Sequence, residues 1–223
     1  MSRLRLIIVV VVVIIVAVVG VLSYVLLTPP AKPNPTVMLS KWSGSTYTAN
    51  YTITYSGSIN VFGIIGISSS IIGPSITWSQ NTLNKVLLIL SLKNQTNTLV
   101  TMNNIGNNEY NLCMAFMSGL TLSYCQHTSP SKLPLISSLS SSSWSFLSRI
   151  NVNGINSYCY ASVSNSSEQS YNVTLCISLN GVLTKAYITK HTLSGFYSIT
   201  MTINSVKVNQ FLSSEFNKVN SSS

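Results

Sequence analysis

Tyr47-Thr48-Ala49-Asn50-Tyr51-Thr52-Ile53-Thr54-Tyr55-Ser56 alternates without a break. Tyr47, Ala49, Tyr51, Ile53 and Tyr55 share one face of an extended chain; the threonines, Asn50 and Ser56 share the other. A period of two belongs to a β-strand with one buried face. Comparable runs lie at about 85–92, 98–104, 109–117, 121–126, 157–163, 171–179, 182–190 and 196–209. Asn180-Gly181 reads as a two-residue type I′ hairpin turn, because both central positions of that turn need positive φ. Residues 37–216 therefore read as one mainly β, antiparallel domain, long enough for its own core.

One helix is expected within it, between Pro130 and Arg149. Leu135, Ile136, Leu139, Phe146, Leu147 and Ile150 recur at three- and four-residue intervals. Ser131 suits the cap and Pro134 the first turn.

Outward from the domain, the chain turns apolar. Leu6 to Leu22 contain no polar side chain, and no charge appears from Leu6 until Lys32. Valine-rich runs favour strands, but a lone strand cannot cross lipid with unpaired backbone groups. Leu6 to Leu27 as a helix spans ~33 Å, enough for a hydrocarbon core of ~30 Å. Arg3 and Arg5 precede it; Lys32 and Lys41 follow. That slight bias puts the amino terminus inside and the domain outside. A cleaved signal peptide is the alternative, but its apolar region runs to only ~7–15 residues. The expected organisation is a cytoplasmic stub and anchor at 1–28, and a stem at 29–36 carrying Pro29, Pro30, Pro33 and Pro35. The β domain follows at 37–216, then a tail at 217–223.

The composition also points outside. There is no aspartate, and Glu109, Glu168 and Glu215 are the acidic residues. Against them stand 22 Asn and 59 Ser plus Thr. Amides and hydroxyls hydrate the same way at any pH, whereas carboxylates lose charge below pH ~4. An acidic medium is the favoured setting; a Ser/Thr/Asn-rich secreted domain at neutral pH is the alternative. The composition resembles that of surface proteins of thermoacidophilic archaea. The net charge of +9 is scattered, with no basic stripe for nucleic acid. Sequons occur at Asn50, Asn94, Asn165, Asn172 and Asn220, as often as this composition produces by chance.

Residues 61–76 are apolar, uncharged and punctuated by glycine. The readings are a pair of short core strands with a serine turn, a mobile flap over a binding surface in which Phe62, Gly63, Gly66 and Gly73 take part, or a segment that touches the membrane or a partner.

The four cysteines allow three pairings. Fold 109–117 onto 121–126 through Ser118-Gly119-Leu120, and Cys113 lies opposite Cys125. The same register sets Phe116 against Leu122 and Met114 against Tyr124. Fold 157–163 onto 171–179 with Cys159 opposite Cys176, and Tyr160 meets Leu175 while Tyr158 meets Ile177. A one-residue slip would send every side chain to the wrong face. Cys113–Cys125 and Cys159–Cys176 are thus the expected disulfides. The spacing contains no C-x-x-C, and His127 and His191 follow no ligand pattern, so no metal is expected.

Catalysis is not expected either. A Ser-His-Asp arrangement has no aspartate to use, and no serine sits in a G-x-S-x-G elbow. No phosphate loop or dinucleotide fingerprint occurs, so no cofactor is expected.

The order of elements, with Gly154…Tyr158-Cys159-Tyr160…Leu175-Cys176…Asn180-Gly181-Val182-Leu183 and a long last strand, resembles the lipoprotein-carrier half-barrel family (LolA/LppX-like) over roughly residues 37–216. The resemblance implies an unclosed antiparallel barrel around a helix, with an apolar hollow for acyl chains. It assigns no residue to lipid. Family carriers are soluble or lipid-anchored, whereas this chain carries an apolar helix.

Two functions follow as expectations. In the first, an anchored binding module holds a lipid or other hydrophobic ligand against Tyr47, Tyr51, Ile53, Tyr55, Tyr158 and Tyr160. In the second, a non-catalytic assembly component of the cell surface meets a protein partner. A continuous cavity along the tyrosine face favours the first; tight packing there favours the second.

Overall fold

The computed structural model describes residues 32–57, 72–92, 97–107, 109–118, 120–129, 143–165, 169–192 and 195–220. The chain divides into two units, Met1–Lys32 and Pro33–Ser223; the fold below is that of the second. Among the described residues no helix is long and apolar enough to cross a membrane, and the segment 6–27 read as an anchor lies outside them.

Eleven strands form one antiparallel, curved sheet. They are β1 (Thr46–Gly57), β2 (Ile72–Asn81), β3 (Lys85–Leu92), β4 (Asn97–Gly106), β5 (Glu109–Ser118) and β6 (Leu120–Thr128). After a crossing come β7 (Ser145–Val152), β8 (Ile155–Asn165), β9 (Gln169–Ser178), β10 (Leu183–Thr192) and β11 (Gly195–Val208). The spatial order is β6-β5-β4-β3-β2-β1-β11-β10-β9-β8-β7. Two meanders thus meet where β1 pairs with β11, from Tyr47 opposite Val208 to Gly57 opposite Tyr197. β6 and β7 form the two edges.

Alternation gives the sheet two unlike faces. Tyr47, Ala49, Tyr51 and Ile53 join Ile76, Trp78, Leu90, Leu175, Ile188, Met201 and Ile203 in one buried cluster on the inner face. Thr48, Thr52, Thr77, Thr200 and Thr202 occupy the outer face of the central strands.

Among the described residues, two helices flank the sheet. α1 (Pro35–Gly44) begins inside the stretch read as a stem and buries Met38, Leu39 and Trp42 against the inner face. Asn34 caps it by accepting from the Thr36 N–H at 2.9 Å, and Pro35 opens its first turn. α2 (Ser213–Asn220) covers residues read as a tail, and buries Phe216 and Val219 on the outer face over β3, β4 and β5.

Two expectations are corrected. Phe146, Leu147 and Ile150 lie on β7, not on a helix; residues 130–142, the rest of that expected helix, are outside the described residues. Pairing with β8 satisfies their backbone groups, and a bulge between Phe146 and Ser148 absorbs the mismatch with a period of two. Gly73 lies in β2, while Phe62, Gly63 and Gly66 are outside the described residues. The turn at Asn180-Gly181 is not type I′: among the described residues only Gly181 of that pair has positive φ, at 77°. The Gly181 N–H donates to Ser178 O, and the Ser178 N–H to Val182 O, which is a type I turn closed by a glycine bulge. A two-residue turn with both φ positive is at Asn153-Gly154, between β7 and β8.

Candidate functional site

The inner face was the expected ligand surface. Tyr47, Tyr51 and Tyr160 are each 0% exposed, and Ile53 and Tyr158 are buried; of Tyr55 only its place on β1 is described. Met38, Leu39 and Trp42 of α1 share their buried cluster. The Trp42 indole N–H donates to the Tyr47 hydroxyl at 3.2 Å. The Tyr51 hydroxyl donates to Leu183 O at 2.6 Å, and the Tyr160 hydroxyl to Pro33 O at 3.0 Å, just before the helix. Burial pushes the Tyr47 phenol up to about 12 and the Tyr51 phenol well above its ordinary range. Both therefore keep their protons and serve as neutral hydrogen-bonding groups.

The C-terminal end of α1 is held from both halves of the sheet. From β2, the Gln80 side-chain amide donates to Trp42 O and Ser45 O. From the turn after β2, the N–H groups of Thr82 and Leu83 donate to Ser45 O and Ser43 O. From the β9–β10 turn, Gly181 O accepts from the Ser45 hydroxyl at 2.9 Å, and Leu179 O accepts from the Lys41 ammonium at 3.3 Å. The last carbonyls of a helix lack intrahelical donors, and here side chains and turn backbone supply them. Five of the six expected face residues are thus buried in one cluster together with residues of α1, a helix that the sequence pattern does not announce.

The outer face carries both disulfides, Cys113–Cys125 and Cys159–Cys176, in the expected registers. α2 packs over the first, with Phe216 and Val219 clustered on Leu87, Leu99, Cys113 and Ala115. The second forms the floor of an open groove of about 260 Å³, walled by Leu147 and Ile150 of β7, with Lys185 and Tyr187 of β10. No signal within β7 or β10 alone marks this groove, because its walls come from strands up to 40 residues apart.

The other candidate residues do not converge. Glu109 sits on β5 and Glu215 on α2; Glu168 is outside the described residues. His127 lies on β6 and His191 on β10, against Phe196. Among the sequons, Asn50 and Asn172 are exposed on the outer face, whereas the Asn220 amide donates inward to Thr101 Oγ1 and Phe216 O. Asn165 ends β8, and Asn94 is outside the described residues.

No protein-family model matches the sequence, and no curated protein matches it. Among solved structures, the MucA/MucB complex of Pseudomonas aeruginosa aligns at 7% identity and TM-score 0.36, over 79% of this chain and 57% of that one. A lipoprotein-sorting protein domain from Vibrio parahaemolyticus, described as of the outer membrane, aligns at 10% identity and TM-score 0.25, over 82% and 94%. The chain thus spans little more than half the length of the MucB chain it matches. Likeness at this level sets neither family nor function; those rest on the geometry.

Proposed function

We propose that the domain is a non-catalytic binding and assembly module outside the cell, tethered by the apolar segment 6–27. Its working surfaces are the outer face and the edges of the sheet. One observation carries this reading: α1 occupies the tyrosine face, where a hydrophobic ligand would have to lie. Two disulfides in so short a domain support an oxidising, extracytoplasmic setting. The scarcity of carboxylates supports an acidic one.

A lipid-holding role keeps one specific support. Past Tyr160, Ile188, Val173 and Ile199 continue the apolar inner face, and the buried Ser162 hydroxyl has no hydrogen-bond partner. A ligand with an apolar tail and a polar head would suit that ground.

Native mass spectrometry of residues 33–223 separates the two. The expected mass is that of the polypeptide with its covalent modifications alone. Stoichiometric lipid surviving purification would overturn the first reading in favour of the second.

A further inference from the structure

We infer that the outer-face groove over Cys159–Cys176 receives an amphipathic, acidic helix of a different protein. This rests on the assembly reading above and names the surface and the partner chemistry.

The chain itself provides the comparison. Two disulfide-bridged hairpins stand on the same outer face. Over Cys113–Cys125, α2 lays down Phe216 and Val219, spaced i and i+3, and closes the apolar surface. Over Cys159–Cys176 no described helix does so, and Leu147 and Tyr187 remain 54% and 41% exposed. The groove volume, about 260 Å³, falls below the ~300–1,000 Å³ of small-molecule sites. It suits the few anchor side chains that a helix sets into a groove.

Charge identifies the partner further. Lys185 is half-buried in the groove wall, opposite Cys176. Of the three glutamates, Glu109 and Glu215 are on β5 and α2, in the other half of the sheet, and Glu168 is outside the described residues. An ammonium beside apolar walls is best answered by a carboxylate. A second copy is a poor source: it brings a net charge of +9, with three glutamates in the whole chain.

The test uses the full chain in the membranes of its own cells. A benzophenone-bearing phenylalanine replaces Tyr187 in one strain and Tyr124, exposed on edge strand β6, in another. After irradiation, the Tyr187 probe is expected to give one discrete adduct with another polypeptide, whose crosslinked peptide is acidic and amphipathic. Lys185→Glu should cut its yield about tenfold and Lys185→Arg should keep it. Intact disulfides in each variant confirm folding. Adducts with a second copy, with lipid, or none at position 187 would overturn the groove assignment, as would indifference to Lys185→Glu. If position 124 still captures a protein, the assembly reading survives that failure. If neither position does and lipid co-purifies, both fall.

Discussion

The side-chain amide of Gln80 donates to the carbonyl of Trp42 at 2.8 Å, tying β2 to the last turn of α1. The same nitrogen lies 3.0 Å from Ser45 O, and Gln80 Oε1 accepts from the Trp78 indole at 2.9 Å. Gln80 is fully buried. Gln80→Leu keeps the volume but leaves the Trp78 indole N–H without its acceptor, while Trp42 O keeps its bonds from Ser45 and Ser45 O its bond from the Thr82 N–H. One buried unsatisfied group costs ~1–3 kcal/mol, so a loss of about 1–3 kcal/mol is expected in urea unfolding. A neutral result would show that α1 is not held by this amide.

Gly181→Ala is expected to be unusually harmful for a turn position. Its φ is 77°, and an added Cβ would stand 2.6 Å from Lys41 O, which is backbone. Strain of this kind costs ~1–3 kcal/mol. Gly154→Ala has the positive φ without the close approach, since no atom lies within 4 Å. Thermal unfolding of the two variants should rank Gly181→Ala as clearly the worse; equal losses would mean that α1 does not press on the turn.

Peptide mapping under non-reducing conditions should find 113–125 and 159–176. They close loops with sequence separations of 12 and 17. Chain entropy gives each ~3 kcal/mol, so Cys113→Ser/Cys125→Ser and Cys159→Ser/Cys176→Ser should each lower the unfolding midpoint. A 113–159 or 113–176 link would contradict both hairpin registers.

Stability should be flat towards acid and steep towards alkali. Glu215 is held below its ordinary range, first by the Ser214 hydroxyl and then by its own N–H. A lowered folded value gives stability that is present at neutral pH and lost as pH falls from ~4.3 through that value. The Glu215 side chain is partly exposed, so the loss is small. Tyr47 behaves oppositely: burial raises it to about 12, and Tyr51 rises too. Their contribution is complete below pH ~10 and drains away as pH climbs towards 12, of the order of 3 kcal/mol for a two-unit gap. Melting temperatures between pH 3 and 11 decide this; a large drop in acid would point to a strongly paired glutamate.

The strands were legible where one face is buried. Along 47–56 a single period of two runs for ten residues, and the hairpins at Cys113–Cys125 and Cys159–Cys176 carry sulfur and apolar pairs in one register. β7 was not legible, because Leu147 sits in a bulge and breaks the alternation, leaving spacings that mimic a helix. The two Asn-Gly pairs look alike in sequence. Asn153-Gly154 joins strands in simple register, whereas at Asn180-Gly181 the contact with Lys41 and the bulge after Leu183 select another turn.

The sequence by itself determined the β class, the faces of most strands and the disulfide pairing, since these depend on neighbours along the chain and across one hairpin. It could not decide what lies against the tyrosine face. Residues 35–44 are short and weakly amphipathic, and isolated helices of that length are marginal in water. α1 is held by the burial of Trp42, Met38 and Leu39, and by the Gln80 amide and the Gly181 turn, which come from opposite halves of the sheet. Those partners are adjacent only after β11 has paired with β1. Tertiary structure therefore decided that α1 packs on the tyrosine face, and that an open groove lies on the other face.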